Sequence, residues 1–241
     1  LPALGIVDRS SVAGVVRAWD AEKTTGVRSI IGCRLDLVDG TAFLVYPTDR
    51  AAYGHMCRLL SIGKERAGKG VCHLDWPDLE QWHEGLIAIL VPDRADTVAE
   101  GALSRARRIF RDRLYLALSI RRRPKDAIRL RDLANMAAAA HVPTVATNDV
   151  LYHSPDRRML QDVVTCVRER CTIDELGDRR ERFADRHLKT GEEMDRLFRR
   201  YLNDATPVSR TLEVAKRCTF SLEELRYQYP DEISVPGRMD L

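Results

Sequence analysis

Six short apolar runs alternate along this chain with segments whose apolar residues recur about every 3.6 positions. Short apolar runs are typical of buried strands, and the spaced segments are typical of helices that cover a sheet. The alternation predicts repeated βα units around a largely parallel sheet, which is an α/β fold. The predicted strands lie at residues 3–7, 29–38, 42–46, 85–90, 114–118 and 144–147.

The pattern changes after residue 147, where only helical spacing remains. Ser154 followed by Pro155 is typical of a helix start, because serine caps the first amides and proline fits the first turn. Thr190 opens a capping-box pattern, and Thr206 before Pro207 repeats the cap-and-proline signal. The region after the last strand is therefore predicted to be helical.

A chain of 241 residues, with 44% hydrophobic and 31% charged residues, fits one or two ordinary globular domains. The predicted organisation is a βα core over 1–153, a helical completion over 154–218 and a connector over 219–241. The connector is expected because Pro230 and Pro236 stand among few periodic apolar residues. The chain begins with Leu1 rather than Met, so we expect a fragment whose natural start lies upstream.

Composition excludes several classes of protein. No apolar run approaches the roughly 18 residues of a membrane helix, so a cytoplasmic protein is expected. Six cysteines are scattered without a Cys-x-x-Cys pair, which argues against a zinc ribbon or a redox motif. Arginines cluster at 105–113, 121–123 and 179–180, where a solvated face is favoured over a phosphate site.

Charged side chains follow several of the predicted strands. In barrels and open α/β folds the reacting groups lie just beyond the carboxyl ends of the strands, and Asp8 and Asp149 occupy such positions. A metal centre needs several converging His and carboxylate ligands, and here only the aspartates qualify. Arg9 and Arg34 bring positive charge to the same ends of the strands, and a guanidinium cannot act as a metal ligand. His153 is the histidine nearest to Asp149 in sequence.

Four runs stand out together, at residues 2–9, 30–34, 85–89 and 145–150. In this order they resemble the PHP (polymerase and histidinol phosphatase) domain of bacterial C-family DNA polymerases, the DNA polymerase III alpha-type subunits. The runs at 34–37, 188–194 and 220–230 are most similar to the error-prone branch of that family. The resemblance implies a PHP-type seven-stranded βα barrel, a distorted relative of the TIM barrel. This chain would lack the first βα unit and continue into a helical C-terminal segment.

The same resemblance identifies the positions where family members bind metal. This chain keeps the aspartates Asp8 and Asp149 but has other residues in place of the family's histidines, glutamate and cysteine, namely Arg9, Arg34, Ala42, Pro92 and Leu151. Five losses against two retained ligands predict no bound metal and no catalytic residue in this segment. The arginines Arg9 and Arg34 are expected to pair with the two surviving aspartates.

The resemblance implies that the parent protein is an error-prone DNA polymerase, a DNA-directed nucleotidyltransferase acting in translesion synthesis and DNA repair. Its Mg²⁺ ions would lie outside this segment, which is expected to be a degenerate, metal-free scaffold without a cofactor. Expected partners are the remaining polymerase domains and, through them, DNA and deoxynucleotides. A sliding clamp and damage-tolerance accessory proteins are further candidates. Two alternatives stay open: a stand-alone metal-dependent PHP phosphoesterase, and a non-catalytic interaction module from a truncated gene.

Overall fold

The computed structural model describes residues 1–180 and 183–226. Its centre is one sheet with the strand order β1-β2-β3-β4-β5-β6, curled into a half-barrel. The strands are β1 (Ala3–Arg9), β2 (Arg28–Asp36), β3 (Ala42–Pro47), β4 (Leu86–Leu90), β5 (Leu114–Ser119) and β6 (Thr144–Thr147). Each coincides with a predicted strand to within two residues at either end, and the predicted α/β fold is confirmed.

The sheet is mixed rather than uniformly parallel. The pairs β1–β2, β4–β5 and β5–β6 are parallel, whereas β3 runs antiparallel to both β2 and β4. A tight turn joins β2 to β3, and Gly40 adopts the left-handed φ of +87° that favours glycine there. The start of β3 consequently lies beside the carboxyl ends of its neighbours: Ala42 pairs with Asp36, and the amide of Val91 donates to the Ala42 carbonyl at 2.9 Å.

Helices follow most of the strands. Among the described residues they are α1 (Val15–Thr25), α2 (Arg50–Arg66), α3 (Trp76–Trp82), α4 (Thr97–Phe110), α5 (Asp126–Ala139), α6 (Arg158–Glu169), α7 (Gly191–Leu202) and α8 (Thr206–Arg217). None of these described helices is long and apolar enough to cross a membrane.

Both faces of the sheet are buried. Successive side chains on a strand point to opposite faces, so Leu86, Ala88 and Leu90 join a large core beneath the helices. Ile87 and Ile89 join a smaller cluster on the other face. Burial on both sides explains why the strands read as continuous apolar runs rather than as alternating patterns.

The predicted helix starts are partly confirmed. The Thr190 hydroxyl accepts the amide of Glu193 at 3.1 Å, as expected for a cap of α7. Thr206 is itself the first residue of α8, and its amide is bound by the carboxylate of Asp204 at 2.8 Å. Ser154 precedes a 3-10 turn over Pro155–Arg157 rather than α6 directly.

The predicted division into segments stays a prediction. The larger core includes Val15, near the beginning of the chain, and Phe198 and Phe220 from the predicted helical and connector segments. Residues from all three predicted segments therefore pack on the same core as the sheet. The part of the predicted connector at 227–241 lies outside the described residues.

Candidate functional site

The topology brings the predicted site residues to, or just beyond, one edge of the sheet. The parallel strands β1, β2, β4 and β6 end at this edge, and the antiparallel strand β3 begins there. The seven residues at or just beyond the edge are Asp8, Arg9, Arg34, Ala42, Pro92, Asp149 and Leu151. Their shared location follows from the direction of β3, because a parallel third strand would have carried Ala42 to the opposite edge.

A cavity of about 2790 Å³ opens along the concave side of the sheet. Of the seven site residues it is lined by Asp8, Arg9, Arg34, Asp149 and Leu151, while Ala42 and Pro92 are not part of its lining. Among the described residues of this lining, basic ones outnumber acidic ones by eleven to six. An excess of positive charge is the reverse of what a site for divalent cations requires.

Arg9 and Arg34 share one carboxylate, that of Asp36. The two arginines are register partners at the ends of β1 and β2. The Nε of Arg9 lies 2.9 Å from Asp36 Oδ2, and the Nε of Arg34 donates to Asp36 Oδ1, also at 2.9 Å. The expected pairing of these arginines with Asp8 and Asp149 is therefore wrong. The sequence placed Asp36 in the second strand but gave no sign that it would bind both guanidiniums.

Asp8 is held by the backbone that follows it. Its Oδ2 accepts the amide of Gly14 at 2.6 Å, at the start of α1. A Cβ on Gly14 would lie 2.7 Å from the same oxygen, so the carboxylate approaches this closely only because the residue is glycine. Asp8 thus ties the end of β1 to the first turn of α1, where an amide-rich helix start favours a carboxylate.

Asp149 has a partner that sequence reasoning missed. Its Oδ2 pairs with the Nη2 of Arg186 at 2.5 Å, and its carbonyl accepts the Nε of Arg186 at 2.9 Å. Asp149 has a φ of 45°, in the left-handed region that aspartate tolerates better than most residues. The amide of Leu151 donates to the carbonyl of Arg186 at 2.9 Å. The loop after β6 is therefore fixed by a residue far along the chain.

A second set of contacts holds the same loop. Asn148 donates to the carbonyl of His187 at 2.6 Å and accepts a hydrogen bond from Lys189 at 3.1 Å. Lys189 is buried, and desolvation lowers its pKa from the ordinary lysine value. The guanidinium of Arg122 lies 3.0 Å from the carboxylate of Asp185. No short-range pattern reveals these contacts, since the partners of Asn148 lie about 40 residues away along the chain and Asp185 lies still farther from Arg122.

The residues that the structure describes do not form a metal-binding set. Within residues 1–180 and 183–226 there is no group of three or more His, Cys, Asp or Glu side chains that could hold an ion. The thiol of Cys33 donates to the Asp8 carbonyl at 3.3 Å, and burial raises its pKa to about 12. A neutral thiol is not a metal ligand, because the thiolate is the ligating form. His153 lines the cavity but belongs to no ligand cluster among these residues.

Comparison with known proteins gives a consistent family. The chain is 60% identical over 98% of its length to error-prone DNA polymerase 1 of Agrobacterium fabrum, of which it covers 21%. It is 54% identical over 99% of its length to error-prone DNA polymerase 3 of the same organism, covering 22%. It is 49% identical over 99% of its length to the error-prone DNA polymerase of Caulobacter vibrioides, again covering 22%. No family model matches the chain.

One solved structure from Bifidobacterium adolescentis, of a protein described as a metal-dependent phosphoesterase, aligns with 62% of this chain and 77% of its own. The identity is 12% and the TM-score 0.44, which is too low to carry an inference about fold or function.

The curated relatives, and not the solved structure, show what this chain is related to. Their identities of 49% to 60% extend over nearly the whole of this chain. The chain spans only about a fifth of the length of these relatives. The predicted resemblance is confirmed: over nearly its whole length the chain matches a segment that makes up about a fifth of error-prone DNA polymerases.

Proposed function

We propose that this chain is the PHP-type segment of an error-prone DNA polymerase and serves that polymerase as a metal-free scaffold. The observation that carries the proposal is the identity of 60% to a polymerase of which the chain covers 21%. The parent reaction would be DNA-directed addition of deoxynucleotides across damaged templates, in the service of DNA repair. The Mg²⁺ ions of that reaction would be bound by other parts of the polymerase.

The arrangement of charges at the sheet edge supports a scaffold rather than a catalytic role. Arg9 and Arg34 neutralise Asp36, and Arg186 neutralises Asp149, so these carboxylates are already bound by cations of the protein itself. Asp8 is bound by a backbone amide. A divalent ion would have to displace each of these partners and would still find too few ligands.

The partners follow from the same proposal. The curated relatives are chains nearly five times as long as the matched segment, so the remaining polymerase domains are the first partners. DNA and deoxynucleotides would be engaged through those domains. A sliding clamp and damage-tolerance accessory proteins are proposed as further partners, and the cytoplasm as the location.

A metal and activity measurement on the full-length polymerase tests the scaffold role. Both the wild type and a variant with Asp8 and Asp149 replaced by alanine are incubated with zinc or manganese and dialysed. We expect the two proteins to retain the same amount of metal. The same double variant should extend a primer at the wild-type rate per folded molecule. Stoichiometric metal that disappears in the double variant, together with hydrolysis of a phosphate monoester by the wild type, would support the stand-alone phosphoesterase chemistry instead.

The reading frame separates the scaffold from the interaction-module alternative. We expect the gene to continue into a region that carries the polymerase carboxylates. A frame that lacks such a region would leave a non-catalytic interaction module, and the enzyme assignment of the parent would fail.

A further inference from the structure

Two free thiols meet at the end of helix α6. Cys166 lies in the last turn of the helix and is 7% exposed, and Cys171 follows the helix and is partly exposed. The side chains of the two cysteines are within hydrogen-bonding contact of each other. Four residues separate them along the chain, so the pair does not have the Cys-x-x-Cys spacing that marks a redox motif in a sequence.

The backbone at the end of α6 brings the two residues together. Arg170 is left-handed, with φ 54° and ψ 45°, and its amide donates to the carbonyl of Cys166. The amide of Cys171 donates to the same carbonyl at 3.1 Å. A hydrogen bond that spans a left-handed residue in this way belongs to the Schellman ending of helices, in which the side chains at the two ends commonly touch. Here those two side chains are the cysteines.

The two sulfurs differ in their surroundings. Burial raises the pKa of the Cys166 thiol, and the neighbouring Cys171 adds to this effect. The sulfur of Cys171 accepts a hydrogen bond from the Nη2 of Arg179 at 3.8 Å. A guanidinium interacts most strongly with a sulfur that is charged, and the thiolate is the nucleophilic form of cysteine. Cys171 is therefore suited to react first and Cys166 to react second.

A shallow groove gives access to the pair. Its volume is about 460 Å³, and both Cys166 and Cys171 are part of its lining. The chain just beyond Cys171 is fixed, because the amide of Thr172 donates to the carboxylate of Glu175 at 2.8 Å. A small oxidant can therefore reach the Cys171 sulfur from solvent while the second thiol stays beside it.

We propose that Cys166 and Cys171 form a reversible intrachain disulfide, with Cys171 as the site that a hydroperoxide oxidises first. The Cys171 thiolate attacks one oxygen of hydrogen peroxide, the O–O bond breaks, and the sulfur becomes a sulfenic acid as one water leaves. The sulfur of Cys166 then attacks the Cys171 sulfur, the S–O bond breaks, and the thiol proton leaves with the hydroxide as a second water.

Two thiols and one hydrogen peroxide thus give one disulfide and two waters. A small thiol reductant reverses the reaction by thiol–disulfide exchange. The inference concerns the thiols of this chain alone and does not depend on the polymerase assignment.

Peptide mapping of the full-length protein tests the proposal. Trypsin cleaves after arginine, so Cys166 lies in the peptide 159–168 and Cys171 in the peptide 171–179, each with one cysteine. The folded protein is treated with a few equivalents of hydrogen peroxide, free thiols are blocked with N-ethylmaleimide, and the digest is analysed by mass spectrometry without reduction. We expect the two peptides to be joined by a disulfide. Dithiothreitol added before blocking should return both as separate, blocked peptides.

Cys57 provides the matched control in the same digest. It is also partly exposed, but its thiol contacts the hydroxyl of Tyr53 rather than another thiol. We expect the link between Cys166 and Cys171 to form several-fold faster than any oxidation of Cys57. Equal rates would mean that the pair has no special reactivity and would contradict the proposal.

Two single substitutions test the order of the steps. In Cys166→Ser the reaction should stop at the sulfenic acid of Cys171, which dimedone traps on the peptide 171–179. In Cys171→Ser dimedone should label the peptide 159–168 several-fold less. The reverse preference would overturn the assignment of Cys171 as the first site.

The wild-type protein decides the pairing itself without any substitution. Absence of the linked peptides after Cys57 has been oxidised would show that the two thiols only pack against each other, and would overturn the proposal. Linkage that is equally fast in urea would also contradict it, because the helix ending would then play no part in bringing the thiols together.

Discussion

Arg9 and Arg34 stand side by side at the ends of two parallel strands, and both bind the carboxylate of Asp36 at 2.9 Å. Two like charges on adjacent strands repel each other, so the shared carboxylate is what makes their proximity tolerable. Both oxygens of the Asp36 carboxylate are therefore engaged by guanidiniums, and a metal ion at this edge would be repelled by the two arginines.

Replacement of Asp36 by asparagine should lower the free energy of unfolding by about 1 kcal/mol, because it leaves two neighbouring guanidiniums without their carboxylate. A double-mutant cycle should assign more of this coupling to Arg34 than to Arg9. The reason is exposure: the Arg34 side chain is 23% exposed and that of Arg9 68%. Urea denaturation of the single and double variants, with arginine replaced by methionine, measures both couplings. A larger coupling for Arg9 would contradict the assignment.

Asp149 combines an ion pair with a left-handed backbone, and two substitutions separate these contributions. Asp149→Asn removes the charge that meets Arg186 but keeps a side chain that tolerates a φ of 45°, so we expect a loss of less than about 1 kcal/mol. Asp149→Ala removes both and should lose about 1 kcal/mol more.

Thermal or urea unfolding of both variants checks this order. Arg186→Met should cost more than Asp149→Asn, because it removes the ion pair and also the hydrogen bond from the Arg186 Nε to the Asp149 carbonyl. Equal losses in the asparagine and alanine variants would show that the backbone conformation contributes nothing.

The strands were predictable because both faces of the sheet are buried, and continuous apolar runs such as 86–90 arise for that reason. The direction of β3 was not. A signal for it was present, since Asp39-Gly40 between two apolar runs is typical of a tight hairpin, and a hairpin makes β3 antiparallel to β2. The location of Ala42 beside the other site residues depends on that reversal.

The partners of the site residues could be predicted less well. Asp8 and Asp149 were found because they follow strands, which is a local property of the sequence. Arg186 is 37 residues from Asp149, and no periodic pattern connects the two. The exposure of the apolar face of α6 was also missed, because the spacing of Met159, Val163 and Val167 defines a face without saying what covers it.

Glu22 gives a dependence of stability on pH. Its carboxylate accepts hydrogen bonds from the hydroxyl and the amide of Ser29, the latter at 2.9 Å, and these bonds lower the pKa of Glu22 below the ordinary glutamate value of 4.5. A carboxyl group with a lowered pKa in the folded state stabilises the protein fully above the unfolded pKa. This contribution is lost as the pH falls below 4.5 and through the folded pKa.

The difference in unfolding free energy between wild type and Glu22→Gln should therefore be largest at neutral pH and shrink in acid. Chemical denaturation at pH 7 and near pH 3 measures it. Asp20→Asn on the same helix is the control, since Asp20 is exposed and its substitution leaves the contact with Ser29 in place. A difference that grows as the pH falls would refute the role of the Ser29 hydrogen bonds.

The energy of the contact between Gly14 and Asp8 can be measured by making the same substitution at Gly14 with and without the Asp8 carboxylate. A Cβ on Gly14 would lie 2.7 Å from Asp8 Oδ2, so Gly14→Ala must displace the carboxylate and break its 2.6 Å hydrogen bond to the Gly14 amide. We expect a loss of about 1.5–3 kcal/mol, the range for a hydrogen bond to a charged group. In an Asp8→Ala background the same substitution should cost little, because the obstructing oxygen is gone.

Gly54→Ala in α2 is the matched control: nothing lies within 4 Å of its Cβ, and alanine should stabilise the helix by about 0.5–1 kcal/mol. An equal cost of Gly14→Ala in both backgrounds would mean that the helix start, and not Asp8, sets the requirement for glycine.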